Sequence, residues 1–200
     1  MIGHAFDMPW RVANELRRYA ALPYIRLMFA LHGIRWQRGW RIFGMPLIQR
    51  HRGSTIELGT GLELRSWRSS NPLMPNHPCV FSTRTAQAVI RVGPRCSFTG
   101  AMVVALESIQ IGADVLVGTN AAIVDSDFHP LYVSQRLPGN VGRVKPVVIR
   151  DQVFIGMNSL ILKGVEIGQG SVIGAGSVVI GNIPPGVIAA GNPAQVVREL

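Results

Sequence analysis

Among the residues able to do chemistry, His129 has the most suggestive surroundings, Asp125-Ser126-Asp127-Phe128-His129-Pro130. An imidazole titrates near neutral pH and can take a proton from a hydroxyl. Asp125 or Asp127 could hold one ring nitrogen and favour the imidazolium that forms. Pro130 stiffens the turn. By residue type alone, an ordinary solvent-exposed loop histidine fits the same stretch. His4, His32, His51 and His77 have no comparable setting. A second candidate stretch is Arg65-Ser66-Trp67-Arg68-Ser69-Ser70-Asn71. Its amide and hydroxyl groups suit the hydroxyls of a sugar, and Trp67 suits a sugar's apolar face. Asn71 and Trp67 are therefore candidate substrate contacts, against the plainer reading of a corner loop.

Both stretches interrupt a repeat. Aliphatic residues fall on every sixth position at Ile149, Ile155, Ile161, Ile167, Ile173 and Val179. Small or aliphatic companions follow four residues on, at Val153, Ser159, Val165, Ser171 and Ser177. Glycine follows the aliphatic residue at Gly156, Gly168 and Gly174, where it is expected to permit the backbone angles of a turn. A motif Ile-x-aliphatic-Gly recurs at 56–59, 90–93 and 109–112, with a Val-initiated copy at 165–168. A short fixed period means stacked solenoid rungs. Three sides would complete a coil, and coils would stack about 4.8 Å apart through parallel ladders. The period breaks at 65–89 and 124–148, and loops held by a rigid scaffold usually carry function.

Composition agrees with a turn-rich β-fold, since 22 glycines and 13 prolines are many for a helical chain. There are 20 Lys+Arg against 11 Asp+Glu, a net charge of +9 that favours polyanions such as lipid headgroups, nucleic acid or a phosphate-rich cofactor. No nucleic-acid-binding motif accompanies the charge, so that partner is set aside. Two cysteines are too few for a disulfide framework and fit a reducing cytoplasm. No secretory leader is evident, and the apolar patch 20–34 is too short and polar to span a bilayer.

Residues 1–53 read as a basic, helical attachment. Residues 11–32 carry an apolar helical stripe that Pro23 breaks or restarts. The Arg- and Trp-rich segment that follows fits two roles. The favoured one is a cap over the open end of the solenoid. The other is a peripheral contact at the inner face of the membrane, with Trp36 and Trp40 at the interface. Residues 54–190 form the solenoid. Residues 191–200, following Pro193, read as a short C-terminal helix.

The repeats, the loop DSDFHPL and the ending GSVIGAGSVVIGNIPPGVIAAGNPAQVVREL resemble the hexapeptide-repeat acyltransferases, in the branch of maltose, galactoside and exopolysaccharide O-acetyltransferases. The resemblance implies an all-β solenoid wound as a left-handed parallel β-helix. It implies a homotrimer with active sites between subunits, acetyl-CoA as acyl donor, and a sugar or surface-polysaccharide precursor as acceptor. It implies that His129 is the catalytic base. It also lays the pantetheine arm along the coils, past Gly156, Met157 and Ala175. Arg198 is a basic residue that the family retains. The chain departs from the pattern at Ile180-Gly181, where Thr-Lys is usual, and at Gln195; the backbone N–H groups of Ile180 and Gly181 are the cofactor contacts that remain at that position. Lys163 and Arg150 are the cations that such losses would call on. An N-acetyltransferase of an amino sugar or drug, and a non-catalytic scaffold, are the competing readings. A metal-dependent anhydrase on this solenoid needs three histidines. The repeat region offers only His77 and His129, so no metal is expected.

Overall fold

The computed structural model describes residues 7–200; residues 1–6, including His4, lie outside the described residues. One helix, α1 (Pro9–Leu31), precedes a coil of short strands. The coil has three flat faces. Face A stacks β1 (Arg41–Phe43), β4 (Glu63–Arg65), β7 (Ser97–Thr99), β10 (Leu116–Val117), β13 (Phe154–Ile155), β16 (Val172–Ile173) and β18 (Val187–Gly191). Face B stacks β2 (Leu47–Arg50), β5 (Val80–Thr83), β8 (Met102–Ala105), β11 (Ala122–Val124), β14 (Leu160–Ile161) and β17 (Val178–Val179). Face C stacks β3 (Thr55–Leu58), β6 (Val89–Val92), β9 (Ser108–Ile111), β12 (Val147–Ile149) and β15 (Glu166–Ile167). Every one of these pairings is parallel.

The period of six is the length of one side. Ile155, Ile161, Ile167, Ile173 and Val179 all point inward and are fully buried. Strict register stacks each under its counterpart: Leu64, Phe98, Val117, Ile155 and Ile173 form one column on face A. The companion serines are buried at the corners, as are Val153 and Val165 at the equivalent positions. Buried Ser159, Ser171 and Ser177 donate their hydroxyls to the carbonyls of Gly174, Pro184 and Gly174 at 2.9, 2.6 and 2.7 Å. A buried hydroxyl satisfied this way carries no desolvation penalty.

The conserved-looking spacing of glycine has a different cause from the expected one. Gly156 has no positive φ; a Cβ there would lie 2.5 Å from the Ala175 nitrogen on the next coil. Close approach of the rungs excludes the side chain. The left-handed backbone of the turns falls two residues later, at Asn158 (φ 56°), Gly170 (71°) and Gly176 (71°).

The solenoid begins earlier than the motif count indicates. Strands β1 and β2 already pair with β4 and β5, so the first coil starts at Arg41 rather than at residue 54. The break at 65–89 is likewise shorter, because β5 is a full rung carrying buried Phe81. Above the first coil, α1 runs unbroken through Pro23, which is exposed on its outer side. Ile25 and Phe29 plug the open end. Phe29, Trp36 and Trp40 form an aromatic cluster, with ring centroids 4.8–5.9 Å apart. Trp40 is buried and donates its indole N–H to the Gly59 carbonyl at 2.7 Å. These tryptophans therefore cap the core and do not present themselves to a membrane.

The expected C-terminal helix is absent. Residues 194–199 form β19 (Ala194–Glu199), which folds back antiparallel on β18. The last rung would otherwise leave its backbone N–H and C=O groups unpaired. β-Branched Val196 and Val197 favour that strand, and Pro193 marks the turn rather than a helix start.

Candidate functional site

The two long loops leave the coil at different corners. The first, 66–79, leaves between faces A and B and lies back on its own chain. Asn71 Oδ1 accepts the Leu73 N–H at 2.9 Å, which sets a local turn. Asn76 N–H donates to Asn120 Oδ1 at 3.1 Å, which ties the loop to a lower coil. Asn14 of α1 donates to the Ser69 carbonyl at 2.6 Å and fixes the other end. Beneath the loop runs a groove of about 350 Å³. Asn71 and Leu73 form its wall, and Gly118, Phe154, Gly156, Met157, Gly174 and Ala175 line its floor. Three expected cofactor residues, Gly156, Met157 and Ala175, thus meet an expected substrate residue, Asn71. The Asn71 Nδ2 donates to no group among the described residues.

Trp67 is not part of this groove. Its indole covers Gly44, where a Cβ would lie 2.5 Å from the ring. Its role is to pack the loop root on the first coil, and it does not present a face to a sugar there.

The second loop, 125–146, leaves at the opposite edge of face B. Its two legs zip together: Asp127 N–H donates to the Arg143 carbonyl at 3.0 Å and Lys145 N–H to the Asp125 carbonyl at 2.9 Å. Phe128 has a φ of 59°, and the His129 N–H donates to the Asp127 carbonyl at 2.6 Å, making a tight turn. His129 is exposed, and neither ring nitrogen has a partner among the described residues. The opposite leg passes so close that a Cβ at Gly142 would lie 2.4 Å from the His129 carbonyl oxygen.

Neither aspartate holds the imidazole, contrary to expectation. Asp125 is fully buried, and its carboxylate accepts three backbone N–H groups: Leu106 at 2.8 Å, Glu107 at 2.7 Å and Ser108 at 2.9 Å. It caps the tight corner of the coil above. Asp127 is ion-paired with Lys163 of the coil below. The two carboxylates fix the root of the loop and leave the ring free. Lys163 escaped the sequence reading as a partner because it lies 36 residues from Asp127 and no local pattern links them.

The remaining expected cofactor residues lie elsewhere. Ile180 and Gly181 follow β17 at the B–C corner, the corner of the His129 loop. Arg198 lies on β19 opposite Ile188, exposed. Lys163 and Arg150 are both engaged, the latter with Glu166 at 2.7 Å, so neither is a spare cation. Lys145 forms no ion pair among the described residues. Its side chain lies along Gly164, where a Cβ would be 2.9 Å from Lys145 Cδ. The register Ile167↔Ile183 places Ile180 and Gly181 on the coil below Gly164.

Thiol chemistry finds no support. Cys79 and Cys96 are free and buried, and burial pushes both thiols up, Cys96 to about 11. Among the described residues, no group of three or more His, Cys, Asp or Glu side chains could hold a metal. A hollow of about 680 Å³ lies on face C and, of the site residues singled out from the sequence, includes only Arg150. Its Arg91 and Arg150 are already paired with Glu57 and Glu166.

The strands and the two long loops together define a parallel β-helix of six-residue rungs with its loops at two corners. Residues 146–181 match the family described as bacterial transferase hexapeptide (six repeats). The chain is 41% identical over 93 residues to galactoside O-acetyltransferase of Escherichia coli (strain K12), covering 46% of this chain and 45% of that enzyme. Over 55 residues it is 51% identical to the 2,3,4,5-tetrahydropyridine-2,6-dicarboxylate N-acetyltransferase of Clostridium perfringens, covering 28% of this chain and 23% of that one. These alignments span less than half the length of the curated relatives. Among solved structures, a hexapeptide-repeat acetyltransferase of Vibrio cholerae is 26% identical, with a TM-score of 0.56 over 94% of this chain and 93% of that one. The same Vibrio protein has been solved with acetyl-CoA, at 23% identity and a TM-score of 0.57 over 93% of this chain and 78% of that one. The coil is accordingly a left-handed parallel β-helix, an exception to the right-handed rule for parallel crossovers.

Proposed function

We propose that the protein transfers an acetyl group from acetyl-CoA to a hydroxyl of a sugar or surface-polysaccharide precursor, with His129 as general base. One observation carries this reading. The exposed imidazole of His129 and the glycine-floored groove under Asn71 project from opposite edges of face B. A side of six residues puts those edges roughly 20 Å apart at about 3.3 Å per residue. One chain cannot close a site across that span, whereas a homotrimer brings one copy's groove beside the next copy's loop. The small residues Gly156, Gly174 and Ala175 leave room for a pantetheine arm. The free Nδ2 of Asn71 offers a donor at the mouth of the groove. His129 would take the acceptor's proton as its oxygen attacks the thioester carbonyl, and return it to the CoA thiolate as that leaves. The ion pair of Asp127 with Lys163 holds the base in place without touching its ring.

Lys145 supplies the cation that Ile180-Gly181 lacks. It lies along Gly164, one coil from Gly181, where a Cβ would meet nothing within 4 Å. A phosphate fits beside it.

The repeats are shared by O- and N-acetyltransferases, so the acceptor atom is set by the loops. The test uses purified protein, acetyl-CoA and a panel of hydroxyl sugars and amino sugars. The expected result is transfer to a hydroxyl sugar, and a fall of roughly 10²–10⁴-fold in kcat for His129→Ala with the trimer intact. Transfer to amino sugars alone would assign N-acetylation. Unchanged turnover in the variant would remove His129 as the base.

A further inference from the structure

Helix α1 has a face buried against the coil and, opposite it, an apolar face that the coil leaves uncovered. Asn14, Arg18, Ile25 and Phe29 are buried towards the solenoid end. Val12, Leu16, Tyr19, Pro23, Leu27 and Leu31 recur in steps of three and four, so they form a single stripe. The buried residues lie two positions on from members of that stripe, about 200° round the helix. The stripe therefore faces directly away from the coils. It is wide open: Leu16, Tyr19, Leu27 and Leu31 are 66%, 62%, 56% and 70% exposed.

We infer that this stripe lies on the surface of an anionic lipid bilayer, with α1 in the plane of the headgroups. The charges select that partner. Arg17 and Arg26 flank the stripe on its two sides, both exposed and without an ion pair among the described residues, Arg26 with its guanidinium 5.5 Å from the Trp36 ring. Glu15 is the sole acid within α1, and it is paired with Arg18 at 2.7 Å and Arg41 at 2.6 Å. The outer face thus offers cations and no free carboxylate. A second copy laid against it would oppose arginine with arginine. Anionic headgroups supply the missing sign, and the long arginine stems reach past the apolar edge to meet them. α1 is not long and apolar enough to cross a membrane, which is the expected state of a helix that lies on one. The sequence pointed to Trp36 and Trp40 for this contact, but those rings are spent on the cap; the lipid-facing residues are on the helix before them.

The test is sedimentation of the whole protein with vesicles of phosphatidylcholine alone or mixed with phosphatidylglycerol. Binding to the anionic vesicles is expected to exceed binding to the neutral ones and to weaken with salt. Leu16→Asp with Leu27→Asp should lower it about ten-fold or more while melting temperature and turnover on a water-soluble acceptor stay unchanged, since both side chains are outside the core. Arg17→Gln with Arg26→Gln should lower it about ten-fold on anionic vesicles alone. Absent vesicle binding, or equal binding by the Leu16/Leu27 variant, overturns the inference. A fall in assembly mass for that variant with vesicle binding intact overturns it too, and assigns the stripe to another copy of the chain.

Discussion

The two long loops differ in where they find their partners. Residues 66–79 fold back over the coils, tied by Asn14 of α1 at one end and by Asn120 of a lower coil at the other. Residues 125–146 are anchored at the root by Asp125 and by Asp127 with Lys163, but their tip turns outward. Leu131, Tyr132, Val133 and Leu137 are each more than 60% exposed on that tip. Residues 66–79 leave Leu73 and Met74 about half exposed, but both ends of the loop are tied down and it walls a groove; a longer, more exposed apolar run on an outward tip suits a second surface that covers it. The contrast supports the proposed placement of the chemistry between copies of the chain rather than within one.

The largest effect should come from the outward loop. Tyr132→Asp with Val133→Asp is expected to split the assembly and to lower turnover by about 100-fold or more, because the base no longer faces a groove. Sedimentation velocity and an acetyl-transfer assay read the two effects together. An intact assembly with full turnover would mean that the tip touches no other copy. Asp125→Ala strikes the root of the same loop. It strands three backbone N–H groups and should cost about 3 kcal/mol of unfolding free energy in a denaturant titration. If stability moved by much less, the carboxylate would not be what holds the corner.

The inward loop should answer more mildly. Asn71→Ala removes one donor at the groove wall, with about a ten-fold loss in kcat/KM and no change in assembly. A loss of assembly instead would give this loop the role assigned to the other. The smallest effect concerns Lys145→Gln. It should raise KM for acetyl-CoA about five-fold, as the loss of one exposed charge contact of about 1 kcal/mol predicts. The same change should leave KM for 3′-dephospho-acetyl-CoA nearer its starting value. Equal shifts for both donors would remove Lys145 from the 3′-phosphate.

What the sequence determined by itself is whatever repeats locally. One aliphatic side chain in six residues decides inside from outside at each rung, so the coil from residue 54 on, its core and the place of both interruptions were legible from spacing, while the first coil from Arg41 and the rung at 80–83 were not. The resemblance singled out His129, and spacing placed it in a break. Tertiary structure decided every relation that spans coils. Asp125 and Asp127 sit beside His129 in the chain, yet their partners are at 106–108 and 163, so adjacency suggested the wrong hydrogen bonds. Gly156 looked like a turn residue until the next coil was seen to pass against it. The last residues read as a helix because Pro193 precedes them, but the open edge of β18 offered backbone partners that no local signal announces. The outer stripe of α1 was written in the sequence as plainly as the inner residues. Only the placement of Phe29 and Ile25 over the open coil showed which side was already taken and which remained free.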